Sequence, residues 1–298
     1  MIHTSVLLNE VLEYLKLKSG GKYIDATMNG GGHALAIVER IQPDGIVLGI
    51  EWDTELLQET ELRIKNYELR KNLILVNDSY VNLKSIAEKR DFQPDGILFD
   101  LGLSSWHYEN SGRGFTFKKN EPLDMRFNPS TSSGQVPAYE IINTFTAPEL
   151  EQILRDYGEE QFARSISESI GLNRKKRPIM TTEDLVAVIN VAVPDWYKHK
   201  KIHFATKTFQ ALRVVANDEL GNVSKGVRAA IDILKSGGRL AVISFQGHED
   251  KIVREIFKEQ VKAGRIIQPV KGTIRPAWPE QQQNPRSRSA KMKVAEKI

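Results

Sequence analysis

The chain has 298 residues, 40% hydrophobic and 27% charged, with a net charge of +4. That balance suits a soluble protein with one large core or two modest ones, and no apolar stretch nears the ~20 residues that a membrane span requires. Cysteine is absent, which excludes thiolate zinc sites and any cysteine nucleophile. The six histidines are scattered, with His199 and His203 the one helix-spaced pair and no acid beside them, so no metal is expected. Val6-Leu-Leu8 is broken at once by Asn9 and Glu10. No secretory leader is legible there, and a cytoplasmic protein is expected.

The first predicted element is a short apolar strand that runs into three glycines and a helix, Tyr23-Ile-Asp-Ala-Thr-Met-Asn-Gly-Gly-Gly-His33 followed by Ala34 to Arg40. Strand, glycine turn and helix form a nucleotide-type cofactor site, because glycine admits a ligand where a Cβ would collide and the helix start offers free N–H groups. A second strand, Gly45 to Ile50, delivers Glu51 and Asp53, about twenty residues beyond Gly31, where an acid can grip ribose hydroxyls. A dinucleotide fingerprint would need a third glycine at Leu35, and no Gly-Lys-Ser/Thr follows for a triphosphate. Asp25 precedes the glycines and suits a cationic amino group and a sulfonium, as in S-adenosylmethionine, better than a pyrophosphate. A purely structural tight turn is the competing reading.

Asn72 to Val76 reads as a third strand, Val81 to Arg90 as a helix, and Asp95 to Asp100 as a fourth, buried strand. This alternation predicts an α/β fold with a parallel, doubly wound sheet. It stops between Ser104 and Asn128, a stretch without period, and Ser130 to Gly134 resembles a linker. Acids after Pro148 and a capping-box pattern at Thr181 announce helices, which form an insertion. From Phe204 the pattern resumes, with Thr206 to Leu234 read as one long helical region, a strand at Arg239 to Phe245, a helix at Glu249 to Gln260, and final strands at Ile266 to Val270 and Ala290 to Ala295. The expected divisions are 1–108, an insertion at 109–204, and 205–298.

Ligands of open α/β sheets bind beyond the carboxyl ends of the strands. Four such ends carry polar residues: Asp25 with the glycines, Glu51 with Asp53, Asp78 with Tyr80, and Asp100. Taken singly, Asp53 and Asp78 read best as capping or core-edge residues; four ends in register read as a transferase site. Two basic clusters, Arg174 to Arg177 and the segment from Lys271 to Lys297 with Arg286 and Arg288, suit phosphate contacts, with a solvated surface as the alternative.

Eight blocks together resemble a known family: His3 to Glu10, Asp25 to His33, Asp95 to Ser105, Arg113 to Phe117, Pro122 to Arg126, Ala205 to Arg213, Gly237 to Phe245 and Asn284 to Ala290. The chain is similar, nearly end to end, to the ribosomal RNA small subunit methyltransferase H or MraW family. The resemblance implies a class I S-adenosylmethionine-dependent methyltransferase fold with a helical insertion that recognises substrate. It further implies N4-methylation of a cytidine in the decoding centre of 16S rRNA, within the small ribosomal subunit. Carried over by position, cofactor contacts fall on Gly31, Gly32, His33, Glu51, Tyr80, Asp100 and His107.

Some positions depart from the family's pattern. Glu51 stands where Asp is usual, Tyr80 where Phe is common, and Trp106-His107 where Pro-Gln is common. Gln246-Gly-His-Glu-Asp250 replaces His-Ser-Leu-Glu-Asp, and Phe204 and Lys207 replace Pro and Arg. Asp100 is the first candidate for a carboxylate at the transfer site, the alternatives being that it serves the cofactor and that a backbone carbonyl of Asp100-Leu-Gly-Leu103 polarises the base. Arg113, Phe115, Arg126, Arg213, Arg286 and Arg288 are the expected substrate contacts. For Arg113 and Phe115 the alternative is a loop ordered by its own packing; for Arg213 it is helix packing. Homodimerisation is left open. The rival functions are a methylase of another RNA, of DNA or of a small-molecule amino group, which would act without rRNA, and an RNA-binding assembly protein on a degenerate fold, which would not bind the cofactor.

Overall fold

The computed structural model describes residues 5–129 and 135–298, so His3, Thr4 and the expected linker at 130–134 lie outside the described residues. The chain divides into two compact units, Met1–Ser104 with Leu220–Ile298, and Ser105–Glu219.

The first unit is built on a seven-stranded sheet. Its strands are β1 (Lys22–Asp25), β2 (Ile46–Glu51), β3 (Leu73–Asn77), β4 (Gly96–Asp100), β5 (Arg239–Ser244), β6 (Ile266–Ile267) and β7 (Lys291–Lys297), in the order β3-β2-β1-β4-β5-β7-β6. The first five strands of that order are mutually parallel, and β7 runs antiparallel to both of its neighbours. Alternate residues of a strand face opposite sides of a sheet. Ile24, Leu48, Ile97, Phe99 and Val242 therefore join one core with Leu83, Val223, Val227 and Phe257, while Tyr23, Val47, Leu98 and Ala241 join a second with Val11, Ile37 and Val38. Helices on both faces bury the central strands on both sides, which is why β2, β4 and β5 read as continuous apolar runs.

The chain winds outward through β2 and β3, then returns to place β4 on the other side of β1. This reversal is the topological switch point of the sheet, where a crevice opens at the carboxyl ends. Asp25 aligns with Gly49 and Leu98, and Asp100 with Ile243, so the strand-end acids of β1, β2 and β4 lie at the same edge of the sheet.

In β7 apolar and basic residues alternate from Ala290 to Ala295, a pattern that by itself suits a sheet with one exposed face. Instead Lys291 and Lys293 lie 3.8 and 3.4 Å from the carboxylate of Asp250, on helix Gly247–Lys262. Lys293 also donates to Thr273 Oγ1 at 2.8 Å.

The second unit is helical. Capping boxes start helix Ala147–Asp156, through Thr146 and Glu149, and helix Thr182–Ala192, through Thr181 and Asp184. Helix Thr206–Ala216 packs on Ala138–Thr144 and Ala147–Asp156, which carries this unit to Glu219 rather than stopping at residue 204. The single helical region expected from Thr206 to Leu234 is accordingly two helices, Thr206–Ala216 and Glu219–Ile233. Asn217 breaks it by donating to Met125 O at 2.8 Å and accepting from Phe127 N at 2.9 Å, and Asp218 follows with a left-handed φ of 47°. Across the break Arg213 forks onto Glu219 with N···O distances of 2.7 and 2.9 Å, both side chains buried.

Removing one partner of a buried pair strands the other charge, at a cost of about 3–5 kcal/mol. Glu219→Ala should therefore lower the denaturant midpoint sharply, and adding Arg213→Met should recover most of the loss in equilibrium unfolding.

Candidate active site

Beyond Asp25 the chain stays tied to the sheet, with Ala26 N donating to Leu98 O and Met28 N to Ile50 O, each at 2.9 Å. It then turns through three left-handed residues, Asn29 (φ 46°), Gly30 (φ 91°) and Gly31 (φ 81°), before helix Gly32–Arg40 begins. At Gly31 an added Cβ would lie 2.9 Å from the flexible end of Met28, Cε, which can shift, while the left-handed backbone favours glycine. Asn tolerates this region better than most side chains.

That tolerance puts Asn29 at the centre of the loop's hydrogen bonds. Its N–H donates to Glu51 Oε2 at 2.9 Å and its side chain to Asp100 O at 2.8 Å. Asp53 N donates to the other oxygen of Glu51 at 3.0 Å, and Asp100 N donates to Thr27 Oγ1 at 2.6 Å. The sequence reading gave no role to Thr27 or Asn29. The signal available was a non-glycine residue favouring positive φ beside a glycine run.

These bonds fix three carboxylates that are almost wholly buried: Asp25 at 1% exposure, Asp100 at 4% and Glu51 at 7%. Burial pushes the Asp25 carboxyl up to about 7, against the bond it accepts from Thr27 N. Glu51 is likewise pushed up to about 7 by burial, opposed by the amides of Asp53 and Asn29. Asp100 is held well above the usual carboxylate range by burial, then by the charges of Asp25 and Glu249. Asp25 Oδ2 and Asp100 Oδ1 are buried without a hydrogen-bond partner. No lysine or arginine among the described residues pairs with Asp25, Glu51 or Asp100. Such a set fits a ligand that brings positive charge and hydroxyl or ammonium donors, and it repels a phosphate.

Beyond β3, Tyr80 packs edge-to-face on Phe99 with centroids 5.5 Å apart. Gly226 lies against the same ring, where a Cβ would meet Tyr80 Cδ2 at 2.6 Å. Asp53 caps helix Thr54–Ile64 by accepting from Glu55 N and Leu56 N, and Asp78 accepts from Ser79 N and Asn82 Nδ2. Asp53 is thus a helix cap, while Asp78 ties the turn before the 3-10 helix Tyr80–Asn82, whose N-cap is Ser79. His33 opens helix Gly32–Arg40, with Nε2 3.0 Å from Val6 O and Nδ1 3.6 Å from Asp100 Oδ2.

The remaining candidates fall elsewhere. His107 belongs to the second unit, buried in an aromatic cluster with Phe115 and Phe127 rings each 5.3 Å away. In place of the expected contacts with phosphate and base, Arg113 donates to the carbonyls of Arg126 and Phe127 at 2.9 and 2.7 Å, and Phe115 stacks on Phe127 at 5.7 Å. Both side chains are buried, so they order their own loop. Arg126 forks onto Asp124 at 2.7 and 2.9 Å. Arg213, expected to face substrate, is the buried partner of Glu219. Arg286 and Arg288 are exposed on the 3-10 turn Pro285–Ser289. In the other basic cluster Arg174 bonds Ile142 O and Arg177 pairs with Asp184, while Lys175 and Lys176 are exposed.

Among the described residues no group of side chains could hold a metal ion, and no helix is long and apolar enough to cross a membrane. An open α/β sheet with a glycine loop at its switch point and strand-end acids around it is the fold of class I methyltransferases. The profile of the MraW methylase family matches residues 1–298, and the chain belongs to that family. It is 44% identical over 299 residues to the ribosomal RNA small subunit methyltransferase H of Fervidobacterium nodosum, covering 99% of this chain and 97% of that one. To the protein of the same name from Desulfotalea psychrophila it is 42% identical, covering 100% and 98%. Its counterpart in Thermosipho melanesiensis is 41% identical, covering 99% and 98%.

A carboxyl raised from an ordinary 3.8 to about 7 in the folded protein stabilises the fold fully below the lower value and loses that contribution as pH rises through the upper one. The melting temperature of the cofactor-free protein should therefore fall between about pH 4 and pH 7. Asp25→Asn should flatten this slope and melt higher than the parent at pH 8, as read by calorimetry.

Proposed function

We propose that this protein transfers the methyl group of S-adenosylmethionine to the exocyclic N4 of a cytidine in the decoding centre of 16S rRNA, acting on the small ribosomal subunit. The observation that carries the reading is the set of three desolvated carboxylates around the glycine loop, in a chain similar nearly end to end to the three proteins named above as ribosomal RNA small subunit methyltransferase H.

Asp25, next to the loop, offers an unsatisfied oxygen to an ammonium group. Glu51, held by two backbone amides, keeps lone pairs for ribose hydroxyls, and the Tyr80 ring, fixed by Phe99 and by the space above Gly226, offers a face to adenine. The bound cofactor supplies an electrophilic methyl on a sulfonium. Cytosine N4 is a weak nucleophile because its lone pair is delocalised into the ring, so alignment and an acceptor for its hydrogen are what the protein must provide. Asp100 is the carboxyl for that role. Methylation at cytosine C5 by the common RNA route needs a cysteine adduct, and this chain has no cysteine. The second unit, with its exposed Lys175 and Lys176, and the exposed Arg286 and Arg288 of the first unit supply the phosphate contacts.

Incubation with labelled cofactor and small subunits that lack the mark should yield N4-methylcytidine by nucleoside mass spectrometry, with Asp100→Ala reducing turnover by about a hundredfold or more. Label in 5-methylcytidine, or equal turnover on a free small molecule, would contradict the assignment. Neutralising Arg286 and Arg288 together should flatten the salt dependence of RNA binding by up to about two units of slope while cofactor affinity stays unchanged. A parallel loss of cofactor binding would make these arginines part of the fold instead.

A further inference from the structure

His33 sits between two groups that determine its state. Its Nε2 is 3.0 Å from the carbonyl oxygen of Val6, and a carbonyl only accepts, so Nε2 carries a hydrogen. With the ring neutral, Nδ1 has the lone pair, and it faces Asp100 Oδ2 at 3.6 Å with both side chains about 95% buried. That separation exceeds a hydrogen bond; catalytic contacts of this kind tighten when the site is filled. The other oxygen of Asp100, Oδ1, is buried without a partner, while its backbone is clamped by Thr27 and Asn29. The charged groups that bear on Asp100 from neighbouring elements are Asp25 at the end of β1 and Glu249 on helix Gly247–Lys262. Both are acidic and favour a proton on the Asp100–His33 pair.

We infer that His33 is a positioning residue and proton acceptor for Asp100: fixed by the Val6 carbonyl, it receives the Oδ2 proton at Nδ1 as Oδ1 takes one from the substrate nitrogen. In this step the nitrogen lone pair forms the N–C bond, and the S–C bond breaks with its electrons left on sulfur. The cationic nitrogen gives one proton to Oδ1, and the proton on Oδ2 passes to Nδ1. Asp100 ends as a carboxylic acid again, His33 as an imidazolium, and solvent takes the surplus proton after release. The contact also gives the amino-terminal block containing Val6 a reason to belong to the site. The inference rests on the amino-methyltransferase reading given above.

His33→Gln tests it, since a Gln amide can still donate to Val6 but offers nothing in the position of Nδ1. The variant is compared with the parent at saturating S-adenosylmethionine, its affinity being measured separately by calorimetry because the family resemblance also puts His33 among the cofactor contacts. Its single-turnover rate should fall by about a hundredfold or more, and the limb of the pH–rate profile set by the pair should disappear. Independently of activity, nitrogen-15 spectra of the parent's imidazole should show hydrogen on Nε2 and an accepting Nδ1 whose shift changes in Asp100→Asn. Hydrogen on Nδ1, an unchanged rate, or a rate that falls only with cofactor affinity would overturn the inference. A parent that shows the paired tautomer yet methylates no rRNA would sink the rRNA assignment while supporting the pair.

Discussion

Three carboxylates taken out of water at the carboxyl end of parallel strands, with no lysine or arginine among the described residues set against them, are the constraint on which the rest of this structure depends. A free-standing fold gains nothing from burying Asp25, Glu51 and Asp100 in this way; each is pressed toward its neutral form, and two of them retain an oxygen without a partner. The cost is carried by local architecture. Asn29 and Gly31 adopt left-handed backbone so that amides and a side-chain nitrogen reach Glu51 and Asp100, and the apolar faces of β1, β2 and β4 hold the strand ends in register. Residues that violate local preference while being strongly supported by their surroundings mark sites where a ligand completes the chemistry.

The two units use polar residues in different ways. In the first, buried acids lie open to a cationic ligand. In the second, buried charge is already satisfied, as in the forked Arg213–Glu219 pair and in Arg113, whose guanidinium ties two loop carbonyls beneath Trp106 and Phe115. The helical unit therefore owes its shape to the arginines and aromatics that would look, in a sequence, like tools for nucleic acid. The cations left on the surface are Lys175 and Lys176 in this unit and the arginines of the turn before β7 in the other.

Much of the first unit was legible because parallel strands buried on both faces announce themselves as short apolar runs, and because ligands gather at their carboxyl ends. Asp25, the glycine loop, Glu51 and Asp100 could be placed in this way before any coordinates. The break at Asn217 was not, since the apolar period runs on from Val214 to Val223 and the side-chain bonds that pull Asn217 out of the helix come from Met125 and Phe127, far away in sequence. Nor could residue type reveal that Arg113, Phe115 and Arg213 face inward, because Ser104 to Asn128 has no period from which to read a buried side. Lys293 misled for a related reason: alternation in β7 was visible, but not the helix carrying Asp250 above it.

The central claim, that these desolvated acids are built to receive a cationic cofactor, is tested most directly by counting protons. Titration calorimetry of S-adenosylmethionine binding at pH 6.5, repeated in buffers of different ionisation enthalpy, should show net proton release, because Asp25 is raised to about 7 in the free protein and must ionise to meet the ligand's positive charge. The release should vanish in Asp25→Asn. Binding without proton release in the parent would contradict the account.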